Sequence, residues 1–228
     1  MSDMSTLSNV ETRRGEAKPP SARVAPDTIP EAKSSQTGVS VRYVPTPDNK
    51  WYVLRASYGR EDKASDYIVE DGTFVYVAKR HVRKSINGKN KKVLEKIIPN
   101  LLFVYATEDK VNEYIKNTPV LSYLAYYYNH FELDEDHKNP PLTVSNKEME
   151  NFILATCNMN EHLKFVEENQ CHFKGGEIVR VVDGMFKGVE GRVARISGQQ
   201  RVIVTITNVG LVSTAYVPTA FLQIIEEL

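Results

Sequence analysis

The sequence predicts an α+β chain built from two folded modules, an α/β sandwich over residues 48–156 and a small all-β module over residues 175–228. Three observations lead there. Strand-period and helix-period segments alternate from Lys50 to Thr156. From Gly175 onward the helical period disappears and only short β-branched runs remain. Before Tyr43 the chain has no aromatic residue and is rich in Ser, Thr, Pro, Glu and Lys, so residues 1–47 read as a disordered tail. A chain of 228 residues, 41% hydrophobic and 25% charged, has room for one or two such cores.

Taken in order, the first module opens on the β-prone run Lys50–Leu54. Arg60–Asp71 sets Ala64, Tyr67 and Ile68 at helical spacing and stops at Gly72, a residue free to adopt positive φ. Thr73–Val77 is a second strand. Lys79–Lys96 is strongly basic and centred on Asn87-Gly88, a dipeptide that favours a tight hairpin turn. Pro99 cannot donate to a sheet ladder, which leaves Leu101–Tyr105 as the body of the next strand. Thr107 reads as an N-cap, with Glu108 and Asp109 in the first turn and Val111, Tyr114 and Ile115 on the buried face. The aromatic run Val120–Tyr128 is expected as a strand. Ser145 and Glu148 form a capping box for a helix that buries Met149, Phe152 and Ile153. Residues 157–174 form a polar linker.

In the second module, Ile178–Val182 stops at Asp183-Gly184, Met185 and Phe186 follow, and Gly188 and Gly191 bracket a further turn before a second strand begins at Arg192. Arg201–Thr207 points Val202, Val204 and Ile206 inward and Ile203 and Thr205 outward. Ala215–Val217 and Leu222–Ile225 add two more strands. Five short strands in so few residues remove their edges most economically by closing into a small barrel.

Chemistry is conspicuously missing. Gly184, Gly188 and Gly191 lack P-loop spacing and lead into a strand rather than a helix N-terminus. Cys157, His162, Cys171 and His172 lack metal-ligand spacing, and the acidic run Glu132–Asp136 lacks the glycine and pattern of a calcium loop. The five histidines stand without paired carboxylates or a serine elbow, so no catalytic residue, metal or cofactor is expected. Lys+Arg and Asp+Glu are both 29, so any basic surface is local. With two cysteines, no apolar run of membrane-spanning length and no secretory leader, the expected setting is the cytoplasm, as a monomer off the membrane.

The stretch GEIVRVVDGMFKGVEGRV resembles the KOW motif of small SH3-like barrels. KWYVLRASYGREDKA, IIPNLLFVY and VSNKEMENFIL, in this order ahead of it, resemble the N-terminal (NGN) domain of the NusG family of transcription factors, closest to the specialised UpxY-type paralogues. The resemblance implies a mixed, mainly antiparallel sheet flanked by helices, followed by a KOW barrel. It also implies a non-enzymatic antitermination and elongation factor, directed at particular operons such as surface-polysaccharide clusters, whose first domain binds the clamp helices of RNA polymerase. A general NusG acting with Rho and a KOW-type RNA-binding or ribosome-associated module are the alternatives.

On that basis Ile98, Leu101, Phe103, Tyr123 and Tyr126 are the polymerase-binding candidates, from two aromatic-rich strands expected to share one sheet face. The same side chains would equally serve as ordinary core. Arg55, Arg60, Lys63, Lys110 and Asn112 are candidates for non-template DNA. The basic segment, with Arg80, Arg83, Lys84, Lys89, Lys91 and Lys92, is the candidate for upstream DNA or RNA, or else a solvated hairpin. Met185 and Phe186 are expected at an exposed tip that meets a second factor, for which the resemblance offers Rho or a small-subunit ribosomal protein.

Overall fold

The computed structural model describes residues 28–226. The expected tail divides accordingly. Residues 1–27 lie outside the described residues, whereas 28–47 are packed onto the first module. Strands β1 (Ala32–Lys33) and β2 (Ser40–Val41) pair antiparallel. The Ser34 hydroxyl donates to Glu70 at 2.7 Å and the Ser35 hydroxyl to Asp66 at 2.6 Å. Tyr43, 1% exposed, is wedged against Trp51, Phe74 and Tyr105 with ring centroids 4.9–5.5 Å apart. Average composition misled here because one aromatic anchor outweighs a polar surround.

The first module follows the predicted alternation. Strand β3 (Lys50–Ala56) leads through a short 3-10 turn into α1 (Glu61–Glu70), and β4 (Phe74–Tyr76) follows. Strands β5 (Lys79–Ile86) and β6 (Lys89–Lys96) form a separate hairpin. Strand β7 (Leu101–Ala106) is buried along its whole length. Helix α2 (Glu108–Asn112) is N-capped by Thr107, whose hydroxyl accepts from the Lys110 amide, and runs on into a π-helical turn. Strands β8 (Leu124–Tyr126) and β9 (Thr143–Val144) and helix α3 (Asn146–Thr156), with its capping box intact, complete the module. The strand expected over Val120–Tyr128 shrinks to three residues, because Pro119 begins a 3-10 turn through Leu121. Tyr67 is exposed, and Val69 takes its place on the buried face of α1.

The sheet order is β4–β7–β3–β8, with β9 also on β3, and all of these pairings are antiparallel. Alternation along β3 and β7 splits the core in two. Tyr52, Leu54, Leu102 and Val104 face α1 and α2, while Trp51, Val53, Phe103 and Tyr105 face α3.

The second module begins earlier than expected. Strand β10 (Lys164–Val166) lies inside the predicted linker and pairs with β14 (Gly210–Tyr216). With β11 (His172–Val181), β12 (Glu190–Ile196), β13 (Gln199–Ile206) and β15 (Leu222–Glu226) it makes a six-stranded antiparallel sheet, ordered β10–β14–β13–β12–β11–β15. Among the described residues, pairings run from edge to edge without joining β10 to β15, so the closed barrel stays an expectation. Ile203 does not face outward to solvent: with Ala194 it is buried against Val166 and Cys171, supplied by the supposed linker. Gly191 is required where β12 crosses β13, since a Cβ there would run into the Ile203 carbonyl.

The two modules are fused through α3. Phe152 and Ile153 join one continuous apolar cluster with Val189, Val202 and Val204 of the second module. The Asn151 side chain closes a double hydrogen bond on the Glu190 backbone, donating to its carbonyl at 2.6 Å and accepting from its amide at 2.8 Å. Glu148 accepts from the Thr207 amide and hydroxyl, and Asn208 donates to Asn129 at 3.2 Å. A buried apolar seam fringed by satisfied polar groups is the anatomy of a specific interface.

Candidate nucleic-acid and partner interfaces

The β5–β6 hairpin turns at Asn87-Gly88 with φ of 52° and 74°, the two consecutive positive values that a two-residue turn needs. Its base is fastened. Lys79 and Lys96 clamp Asp62 of α1 at 2.6 and 2.9 Å, Arg80 donates to the Leu163 carbonyl at 2.7 Å, and the His81 amide donates to Met159. Toward the tip, Arg83 lies opposite Lys92 and Lys84 opposite Lys91. Like charges facing each other across a ladder cost stability. The counter-ions there are Glu95, 3.1 Å from Lys84, and Glu161, 3.7 Å from the largely exposed Arg83. Lys89, Lys91 and Lys92 are exposed. The arrangement presents a narrow ridge of cations, the form that attracts phosphates.

The clamp is pH-sensitive with a defined sign. Burial pushes Asp62 upward, but hydrogen bonds from Lys79 and Lys96 prevail and hold its carboxyl below the ordinary carboxylate range. A depressed folded-state pKa gives stability that is present above the unfolded value and lost as pH falls through the folded one. Hydrogen-exchange protection at the hairpin base is therefore expected to hold from neutral pH to about 5 and to fall below about 4. Asp62→Asn should lose that protection at every pH. A wild-type transition near pH 6, or an unchanged Asp62→Asn variant, would assign the fastening elsewhere.

The polymerase-binding candidates do not share a face. Leu54 stands opposite both Leu102 and Tyr126, so Tyr126 points with Leu102 toward α1 and α2, whereas Leu101 and Phe103 point the other way. Ile98, Leu101 and Phe103 are buried in the cluster beneath α3, and Phe103 packs on Phe152 at 5.3 Å. Tyr123 and Tyr126 are half-buried on the opposite face, and their hydroxyls are buried without a hydrogen-bond partner. One missed exact step of the period-2 pattern accounts for the error.

Among the DNA candidates, Arg55, Arg60 and Lys63 are exposed. The Arg60 guanidinium lies 5.0 Å from the Tyr123 ring and 5.6 Å from that of Tyr58. Tyr58 was missed by sequence reasoning, although the Ser57-Tyr58-Gly59 loop between strand and helix was a signal. It is 88% exposed and held at a φ of 62°. Lys110 is not a free cation, because Asp71 at 2.7 Å and Glu113 at 3.0 Å neutralise it. Asn112 is half-buried on α2.

The expected tip of the second module is only half exposed. Met185 is 62% exposed, but Phe186 is 3% exposed and belongs to the core. Its turn rests on the end of α3: Gly188 abuts Leu154, and Asn158 donates to the Met185 carbonyl. A cleft of about 400 Å³ remains beside Met185, walled by Val181, Ala215, Tyr216 and Phe221.

Among the described residues, Cys157 and Cys171 are free thiols, no group of His, Cys, Asp or Glu is arranged to hold a metal, and no helix is long and apolar enough to cross a membrane.

The chain thus joins an antiparallel sandwich bearing a cationic hairpin to a second antiparallel sheet. The family model described as "Transcription termination factor nusG" matches residues 49–153, which span the first module from β3 into α3. The chain is 24% identical over 164 residues to the transcription termination/antitermination protein NusG of Lactococcus lactis, covering 67% of this chain and 81% of that relative. It is 23% identical to the protein of the same description from Streptococcus pyogenes serotype M3, covering 84% of it. Residues 49–153 thus match the NusG family model, and the chain is similar over 164 residues to NusG transcription termination/antitermination proteins.

Proposed function

We propose that this chain is a specialised NusG-like factor that rides on elongating RNA polymerase through its first module and suppresses pausing or termination in particular operons. The observation that carries the reading is the match of the NusG family model to residues 49–153. Bridging two parts of a polymerase needs no chemistry. It opposes opening of the enzyme, and a bias of about 1.4 kcal/mol changes a pause-escape rate tenfold. The half-buried pair Tyr123 and Tyr126, with Arg60 beside Tyr123, is the polymerase contact in this reading, because Leu101 and Phe103 are occupied as core. The hairpin meets nucleic-acid phosphates. The second module, taken as an SH3-like KOW barrel, receives a further factor such as Rho or a small-subunit ribosomal protein at the cleft beside Met185 and Tyr216.

A transcription assay with purified polymerase tests this. The wild-type chain is expected to co-migrate with elongation complexes and to shorten pause lifetimes several-fold. Tyr123→Ala combined with Tyr126→Ala should lose at least tenfold in that effect. A chain that neither associates with elongation complexes nor alters pausing would overturn the proposal. The description of the matched relatives, which names termination as well as antitermination, favours a second reading: a general factor acting with Rho. Chromatin immunoprecipitation separates the two, since genome-wide occupancy supports the general factor and occupancy confined to a few operons the specialised one.

A further inference from the structure

Where the second module meets the loop after β8, the fold leaves an open cleft of about 730 Å³. Its walls come from both modules: Tyr128 and Phe131 on one side, Phe165, Phe173 and Leu211 on the other. These rings are displayed rather than buried. Phe131 is 79% exposed, and Tyr128 and Phe165 are also exposed. Large apolar side chains gathered at an open cleft mark a recognition surface, whereas the same residues scattered singly would need no explanation.

The loop that carries Phe131 is tied down by hydrogen bonds. Asn129 accepts from the Phe131 amide at 3.1 Å and donates to Glu132 at 2.9 Å, while Asn139 donates to the carbonyls of Asn129 and Glu132. Asn208 ties the same Asn129 to the second module. On the opposite wall, the outer edge of the Phe165 ring meets Gly210, where φ is 150° and where any Cβ would collide with the ring. Holding both aromatics before a partner arrives lowers the ordering cost of binding.

Charge decides the class of partner. The cleft is lined by Glu167 and Glu168, and the loop that continues from Phe131 carries Glu132, Asp134, Glu135 and Asp136 in sequence, the last paired with Lys138 at 3.7 Å. The Arg192 guanidinium sits 3.9 Å from the Phe173 ring centroid, so this cation is directed at an aromatic face. Aromatic platforms with a neighbouring arginine also serve single-stranded nucleic acid, but that mode needs a cationic groove along the backbone. An acidic rim repels phosphates and favours basic groups.

We propose that this cleft is a docking site for an extended, basic segment of a protein partner, which inserts an aromatic or large aliphatic side chain between Phe131 and Phe165 and sets Lys or Arg against the acidic rim. The site is separate from the Met185 cleft and from the hairpin, and it does not depend on the polymerase reading. Because both modules line it, its shape exists only while they stay fused through α3.

Panning a random dodecapeptide phage library over the full chain tests the proposal. Enriched peptides should carry net positive charge and at least one Phe, Trp, Leu or Ile. Synthetic copies should bind Phe131→Ser/Phe165→Ser and Glu167→Lys/Glu168→Lys chains at least tenfold more weakly, with the wild-type circular dichroism spectrum kept in both. Neutral or acidic consensus peptides, or equal binding to the variants, would overturn it. So would oligo(dT) binding that Phe131→Ser abolishes, which makes the cleft a nucleic-acid site. A wild-type dimer converted to monomer by Phe131→Ser would equally overturn it, because a second copy would then be the occupant.

Discussion

Tyr43→Ala is expected to lower the unfolding free energy by about 3–5 kcal/mol, the range for deleting a buried aromatic side chain. Tyr43 lies outside the family-matched region and in a segment whose composition reads as disordered, yet its ring closes an aromatic box with Trp51, Phe74 and Tyr105. Burial pushes its hydroxyl pKa upward, so it stays protonated and donates to the buried Glu150 at 3.1 Å. Alanine removes the ring and its hydrogen bond to that carboxylate. Tyr43→Phe separates the two terms, with an expected loss of about 0.5–1.5 kcal/mol for the hydrogen bond alone. Equilibrium denaturation reads both. A loss under about 1 kcal/mol for Tyr43→Ala would mean that residues 28–47 contribute little to the fold, since truncations of this kind normally cost more.

The contrast with the rest of the chain shows which signals a sequence carries. The start of helix α3 was legible to the residue because its capping box is local, and so was the β5–β6 turn, where Asn87-Gly88 supplies both positive φ values. The alternation of strand and helix across Lys50–Thr156 carried through for the same reason. What failed was non-local. The facing of Tyr126 depends on its register with Leu54, a choice that one residue of slip reverses. Phe186 sits in a turn that reads as exposed, and it is buried because the end of α3 lies across it. Ile203 reads as outward because the strand that covers it comes from a segment with few apolar residues. Tyr43 needed a partner sheet to reveal its role.

The same non-local contacts set how the modules behave. A flexible linker would let them act as separate beads, each engaging its own partner. Here α3 belongs to both cores, and Asn151 and Glu148 satisfy backbone groups of the second module. Interfaces of this kind couple the stability of the units they join. The docked second module also lies on the face of the sheet that holds Leu101 and Phe103, while α1 and α2 cover most of the opposite face and leave Tyr123 and Tyr126 half-buried at its margin.

Replacing Arg83, Lys84, Lys91 and Lys92 with glutamine is expected to weaken DNA binding on the order of 100-fold at low salt while leaving the fold intact. The argument rests on register. Arg83 faces Lys92 and Lys84 faces Lys91, so the four charges repel across the ladder, and each such pair costs roughly 0.2–1 kcal/mol. Neutralising them should leave thermal stability unchanged or raise it slightly. Four phosphate contacts contribute about 0.9 each to the slope of log affinity against log salt, so that slope should shrink by about 3–4 in the variant. The clamp residues Lys79, Arg80 and Lys96 are left untouched because they fasten the hairpin to Asp62 and Leu163. Fluorescence anisotropy with a labelled duplex, read from 50 mM salt upward, makes the comparison. An unchanged slope would reduce the hairpin to a solvated charged arm. A lower melting temperature would instead show that the cations are held by structural pairing and not for a ligand. Cations kept at a cost in stability, and lost without penalty to the fold, are what a phosphate-binding ridge requires.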